Sequence, residues 1–185
     1  MAEIFATNAF GAPEPREAVV GSVTLRERMD IALASVALRA DAARPAPFGL
    51  TLPEPGFFAE SESANAIWMA PGHWLIEGPG RAELDFAAEV ESAAPGCSVT
   101  EQTDGWVILD LEGPEGDLEQ LRERLVNLPA ETLSPGKATR SLVHHMSVLL
   151  IRRSPDRLSV MGMRSMAGSL WHALHGTAER YAVRP

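Results

Sequence analysis

The sequence predicts an α+β fold in which antiparallel sheets and helices come from duplicated split β-α-β units. Three observations carry this. Short apolar runs bracket turn dipeptides in pairs, segments of helical period follow those pairs, and the hairpin-to-helix order recurs three times along the 185 residues. The hydrophobic fraction of 45% with 22% charged residues is that of an ordinary globular chain able to build a core. One domain over residues 23–185, preceded by an N-terminal arm over 1–22, is the expected organisation.

The arm is rich in Ala, Gly, Pro and Glu without a sustained period, and Phe5 and Phe10 are its large anchors, so a mobile or partner-docked segment is expected. The run DIALASVALR suits a buried strand through Ile31 and Leu33, while its alanines keep a helix open. Residues 40–58 hold four prolines, two glycines and three phenylalanines, the composition of a long loop packing its own aromatic rings. AIWMAPGHWLIEG predicts a hairpin about Pro71-Gly72.

Residues 80–94 predict a helix with Leu84, Ala87, Ala88 and Glu91 along one side, Phe86 and Val90 beside them, and Pro95-Gly96 ending it. SVTEQ and GWVILDLEG follow as strands, and the intervening Thr103-Asp104-Gly105 predicts that they pair. Pro114 opens a second helix, with Leu118, Leu121 and Leu125 at i, i+3 and i+7, acids near its start and Arg122 and Arg124 near its end. SLVHHMSVLLIRR and RLSVMGMR predict a third hairpin across Ser154-Pro155-Asp156. A last helix from about Ser165 lays Met166, Leu170, Leu174 and Ala178 on the sheet with Ala167 and Trp171, and is expected to fray after Gly176.

Charge excludes whole classes of partner. A net charge of −9 with scattered basic residues does not make the clustered positive surface that nucleic acid or an anionic membrane requires. No apolar run is long enough to span a bilayer, and the start has prolines at 13 and 15 and no basic n-region, so the cytoplasm is the expected compartment. The single cysteine, Cys97, can form no internal disulfide and reads as a small filler at a strand entry.

Four constellations could carry chemistry. His144-His145, placed in a strand, would point to opposite faces and could not close on one metal ion. His172 and His175 share a helix face, and Glu179 could complete a ligand set, but a fraying end favours solvated or capping histidines. Asp110 and Glu112 alternate onto one strand face with Trp106 and Ile108, either as a paired-acid site or where the strand meets water; the second reading is preferred. Gly78-Pro79-Gly80 before a helix could hold an anion, without any nucleotide fingerprint. Trp68, Trp74, Trp106 and Trp171 are mostly core, and Phe57-Phe58 are the first candidates for partner anchors.

TDGWVILDLEGP with the Leu118 helix, then SPGKATRSLVHHMSVLLIRRSPDRLSVMGMRSMAGSLWHAL, resembles the gamma subunit of heterotetrameric sarcosine oxidases. TLRERMDIALASVALR and ANAIWMAPGHWLIEGP extend the resemblance over most of the chain beyond the arm, and RSMAGSLWHAL is its most specific piece. The resemblance implies a complex that demethylates sarcosine to glycine, reduces oxygen to hydrogen peroxide and passes the one-carbon unit to tetrahydrofolate as 5,10-methylenetetrahydrofolate. It implies alpha, beta and delta subunits as partners, with FAD, covalent FMN, NAD and folate in the alpha and beta subunits and zinc in delta. It also implies a gamma chain with no catalytic, cofactor-binding or metal residues of its own, similar in fold to the folate-binding domain of aminomethyltransferases. NLPAETL at 127–133 departs from the Cys-Pro-Leu-Asp type segment of related gamma chains, and SPGKATR lacks the cysteine of the Lys-Gly-Cys-Tyr-type motif of stand-alone folate proteins.

Overall fold

Among residues 6–182, which the computed structural model describes, eleven strands form two antiparallel sheets accompanied by three α-helices. Where one core was expected over 23–185, the chain builds two compact units, each with its own sheet and core. The reason lies in chain order. The second unit, residues 30–104 with 136–138, is inserted into the first, which gathers residues 6–29, 105–135 and 139–182.

In the second unit β3 (Ile31–Leu38) lies between β6 (His73–Pro79) and β7 (Cys97–Glu101), antiparallel to both. β6 and β7 are therefore parallel to each other and joined through α1 (Phe86–Ala93), a split β-α-β unit. β4 (Phe58–Glu60) and β5 (Asn65–Ala70) continue the sheet beyond β6. The β5–β6 hairpin turns at Pro71-Gly72 as expected, with Gly72 at φ +70°. The expected loop is irregular apart from a short 3-10 turn at Pro47–Gly49.

The helix predicted over 80–94 is shorter and faces differently. Asp85 caps it by accepting the Ala88 N–H at 3.1 Å, so Leu84 falls outside and stays exposed, while Phe86 and Val90 enter the core. α1 can lie this close to β6 because residue 78 is glycine: a Cβ there would sit 2.5 Å from the Phe86 ring.

In the first unit the sheet runs β1 (Glu17–Val20), β2 (Val23–Glu27), β8 (Trp106–Glu112), β11 (Arg157–Met163), β10 (Met146–Ser154), β9 (Lys137–Val143). β11 separates the parallel pair β8 and β10, which the chain joins through α2 (Glu115–Leu125) and β9, and this repeats the split arrangement. Leu118, Leu121 and Leu125 of α2 and Leu170, Trp171 and Leu174 of α3 (Ala167–Ala182) pack on Val107, Leu109, Leu150 and Val160. α3 runs unbroken past Gly176, against the expected fraying, because Thr177 and Ala178 are buried in the same core.

Three further expectations are corrected. Strands β7 and β8 do not pair, and Thr103–Gly105 is a 3-10 turn. The Glu101 carboxylate accepts N–H groups of Gln102 (3.1 Å), Thr103 (3.0 Å) and Ala87 (3.1 Å) and the Thr103 hydroxyl, which turns the chain out of the sheet and overrides the Asp-Gly signal. The N-terminal arm is folded back: β1 pairs with β2, and the buried Glu27 carboxylate accepts the N–H of Ala9 (2.8 Å) and Arg16 (3.2 Å). The Arg16 guanidinium sits over both the Phe10 and Trp171 rings, 4.7 and 4.5 Å from their centroids. Phe5 lies outside the described residues. Finally, His144-His145 form the turn between β9 and β10, both at positive φ, so they do not alternate across a strand.

Gly78→Ala should destabilise the protein by about 1–3 kcal/mol in urea unfolding, since Phe86 has no room to retreat. A second prediction concerns acid. Burial would raise the Glu101 carboxyl, but the hydrogen bonds from Thr103, Ala87 and Gln102 outweigh it and hold it below the ordinary glutamate range of 4.5. Its contribution is therefore complete above about pH 4.5 and is lost as pH falls through the lowered folded value. The urea midpoint of Glu101→Gln should fall less between pH 5 and pH 3 than that of the parent; equal falls would assign the acid sensitivity to other groups.

Candidate functional site

Asp110 is the one member of the predicted constellations that gathers a dense set of polar partners. It sits on β8 facing away from the helices and is 1% exposed. Its Oδ2 accepts from Arg28 Nη1 at 3.1 Å and from Arg157 Nε and Nη2 at 3.1 and 2.6 Å, and its Oδ1 accepts from the Ser159 hydroxyl. Arg153 Nε donates to Ser159 Oγ at 2.6 Å and extends the network. The elements dictate this meeting. Asp110 is opposite Ser159 on β11 and opposite Arg26 on β2, so Arg28 leaves β2 beside it and Arg157 enters β11 beside it.

Glu112, two residues on, is 52% exposed and touches Arg157 at 3.5 Å. The two acids thus share a guanidinium but not an environment. The strand does meet water at Glu112, whereas Asp110 is buried deeper than that reading implied. A carboxylate that accepts from two guanidinium groups and a hydroxyl is fixed in place by a polar cluster. Arg28, Arg153, Arg157 and Ser159 were missed by sequence reasoning; their only signal was a strand-internal Ser and Arg near one end of an apolar run.

A buried arginine lies on the helix side of the same sheet. Arg152 Nη2 donates to Pro155 O at 2.7 Å and lies 3.3 Å from Glu119, while its Nε and Nη1 are buried without a hydrogen-bond partner among the described residues. Burial pushes Arg152 down from the ordinary arginine range, opposed by Glu119 and Glu115.

The histidines separate. His175 Nδ1 lies 3.4 Å from Glu179 and its ring stacks against Trp171, whereas His172 is exposed and lines a groove of about 510 Å³ with His144. Among the described residues no group of three His, Cys, Asp or Glu is placed to hold a metal ion. Gly78-Pro79-Gly80 closes a strand and precedes α1 by a further turn, so it presents no helix N-terminus. Cys97 is buried in the second core, and that burial raises its thiol above the usual cysteine range against the pull of Arg39. Phe57 is 43% exposed with Lys137 Nζ 3.2 Å from its ring centroid, and with Phe58 it lines a second hollow of about 550 Å³ beside Arg44, Leu52 and Pro53.

No protein-family model and no curated protein matches this sequence. The fold, however, is similar to a chain of the heterotetrameric sarcosine oxidase from Corynebacterium sp. U-96 solved with pyrrole 2-carboxylate, with a TM-score of 0.75 at 18% identity over 91% of this chain and 89% of that one. It is also similar to the glycine cleavage system aminomethyltransferase T from Bartonella henselae, with a TM-score of 0.60 at 15% identity over 86% of this chain. There this chain spans about half of the other, 47% of its length.

Asp110→Ala should cost about 3–5 kcal/mol in chemical denaturation, because it leaves the guanidinium groups of Arg28 and Arg157 without their carboxylate in a largely buried site. Asp110→Asn, which retains an acceptor for Ser159, should cost less. The two antiparallel sheets with three helices are an α+β fold similar to that of a chain of the sarcosine oxidase and of part of the aminomethyltransferase.

Proposed function

We propose that this chain is the gamma subunit of a heterotetrameric sarcosine oxidase, a cytoplasmic chain without a catalytic site of its own that supports assembly of the complex. The carrying observation is coverage. The fold match runs over about nine tenths of this chain and of its counterpart in a four-subunit enzyme, whereas the match to the aminomethyltransferase takes in under half of that protein. The alpha, beta and delta subunits are then its partners. FAD, FMN, NAD and tetrahydrofolate belong to the alpha and beta chains, where sarcosine is demethylated to glycine with formation of hydrogen peroxide and 5,10-methylenetetrahydrofolate. The Asp110 network favours the same reading, since the carboxylate best placed for acid-base work already holds a salt-bridged position.

A second reading, a stand-alone folate-binding one-carbon protein, rests on the likeness to an aminomethyltransferase and on Asp110 as the acid such a role would use. Native mass spectrometry of the chain co-expressed with the large subunits, paired with oxygen uptake on sarcosine, separates the two. The expected result is a four-subunit assembly that consumes oxygen, with an isolated chain that binds neither flavin nor folate. A chain that stays free and binds folate, with affinity lost in Asp110→Ala, would favour the second reading instead.

A further inference from the structure

The groove of about 510 Å³ between the β9–β10 turn and the start of α3 gathers an uncommon set of donors. His144 comes from the turn and Met146 from the first position of β10, while Met166 closes the 3-10 turn before α3 and His172 belongs to α3 itself. The chain has seven methionines and five histidines, and two of each meet in this one hollow. Gly168, Ser169 and Ala173 complete the lining, so no Asp, Glu, Lys or Arg takes part. His144, Met166 and His172 are exposed and open to a solute. Met146 is buried in the core of the first unit and gives the groove a fixed floor.

The donor chemistry selects the ligand. Mg²⁺ and Ca²⁺ take oxygen ligands, and the lining has no carboxylate. Zn²⁺ is held by thiolate, imidazole and carboxylate, and among the described residues no three His, Cys, Asp or Glu come together. Cu(I) differs. It is a soft monovalent cation, which thioether sulfur and neutral imidazole satisfy without an anionic ligand. Methionine also suits it mechanically, because an unbranched side chain with three rotatable bonds can bring its sulfur to a metal from an open wall.

We propose that this groove is a Cu(I) site, with His144, His172 and Met166 as ligands and Met146 as the donor from the floor. The site goes beyond the assembly reading and does not depend on it.

The probe is Cu(I) alone, offered without oxygen to the full chain as its coloured bicinchoninate complex, so that withdrawal of the metal by the protein is read as loss of colour. The parent should withdraw one equivalent, and X-ray absorption of the loaded protein should show sulfur together with imidazole nitrogen around the copper. Met166→Leu and His172→Gln, both at exposed positions, should each weaken binding by about tenfold or more. His144→Asn should do the same without loss of fold, because Asn readily adopts the left-handed backbone of residue 144, at φ +45°. Met163→Leu, at an exposed methionine outside the groove, should bind as the parent does. A parent that leaves the copper with bicinchoninate overturns the site. So does binding that survives Met166→Leu and His172→Gln and is lost in Cys97→Ala, which would move the metal to the thiol. A spectrum of nitrogen without sulfur, with Met166→Leu binding as tightly as the parent, overturns it as well.

Discussion

The first unit is organised around one buried carboxyl group. Asp110 lies where three strands meet, and each supplies something it needs: Arg28 from the end of β2, Arg157 from the start of β11, and Ser159 directly opposite. A slip of β11 by one residue would turn Ser159 to the helix face and leave the carboxylate buried with fewer donors, a cost of several kcal/mol. Register in this sheet is thus set by charge as well as by the apolar layer of Val107, Leu109, Leu150 and Val160.

What could be read from the sequence follows how local its cause is. α2 was legible because Leu118, Leu121 and Leu125 form a stripe within the helix itself, and the β10–β11 hairpin because apolar strands flank a turn. The pairing of β7 with β8 was misread because a carboxylate two residues before the turn, on Glu101, decides the chain's direction. β1 was overlooked although Glu17 to Val20 alternate in exposure and the Gly21-Ser22 turn leads into β2, a short signal lost among prolines and alanines. The partners of Asp110 stand 82, 47 and 49 residues away in sequence, so nothing near position 110 announces them. The buried Arg152 is equally nonlocal, since its neighbour Glu119 comes from α2.

The likenesses in fold reach proteins of two kinds, a four-subunit oxidase and an aminomethyltransferase. Such folds host different activities, so function has to be sought in side chains. Here several buried polar groups are committed to partners within the fold: Asp110 to its arginines, Glu27 to the backbone of the arm, Asn65 to Glu77 at 2.9 Å. The exposed groups, among them Phe57, Met166 and the turn histidines, are those left to meet something else.

The nesting of one unit inside the other has a consequence for synthesis. By the time residue 104 has emerged from the ribosome, the second unit lacks only residues 136–138, and its sheet can close from a nearly continuous stretch. The first unit must wait. Its β1–β2 hairpin and β8 are made early, but β11, which joins β8 to β10, is the last strand of all, and α3 comes later still. Until then an apolar strand edge stands open on the nascent chain, and it is this interval, more than the finished protein, that exposes the chain to aggregation.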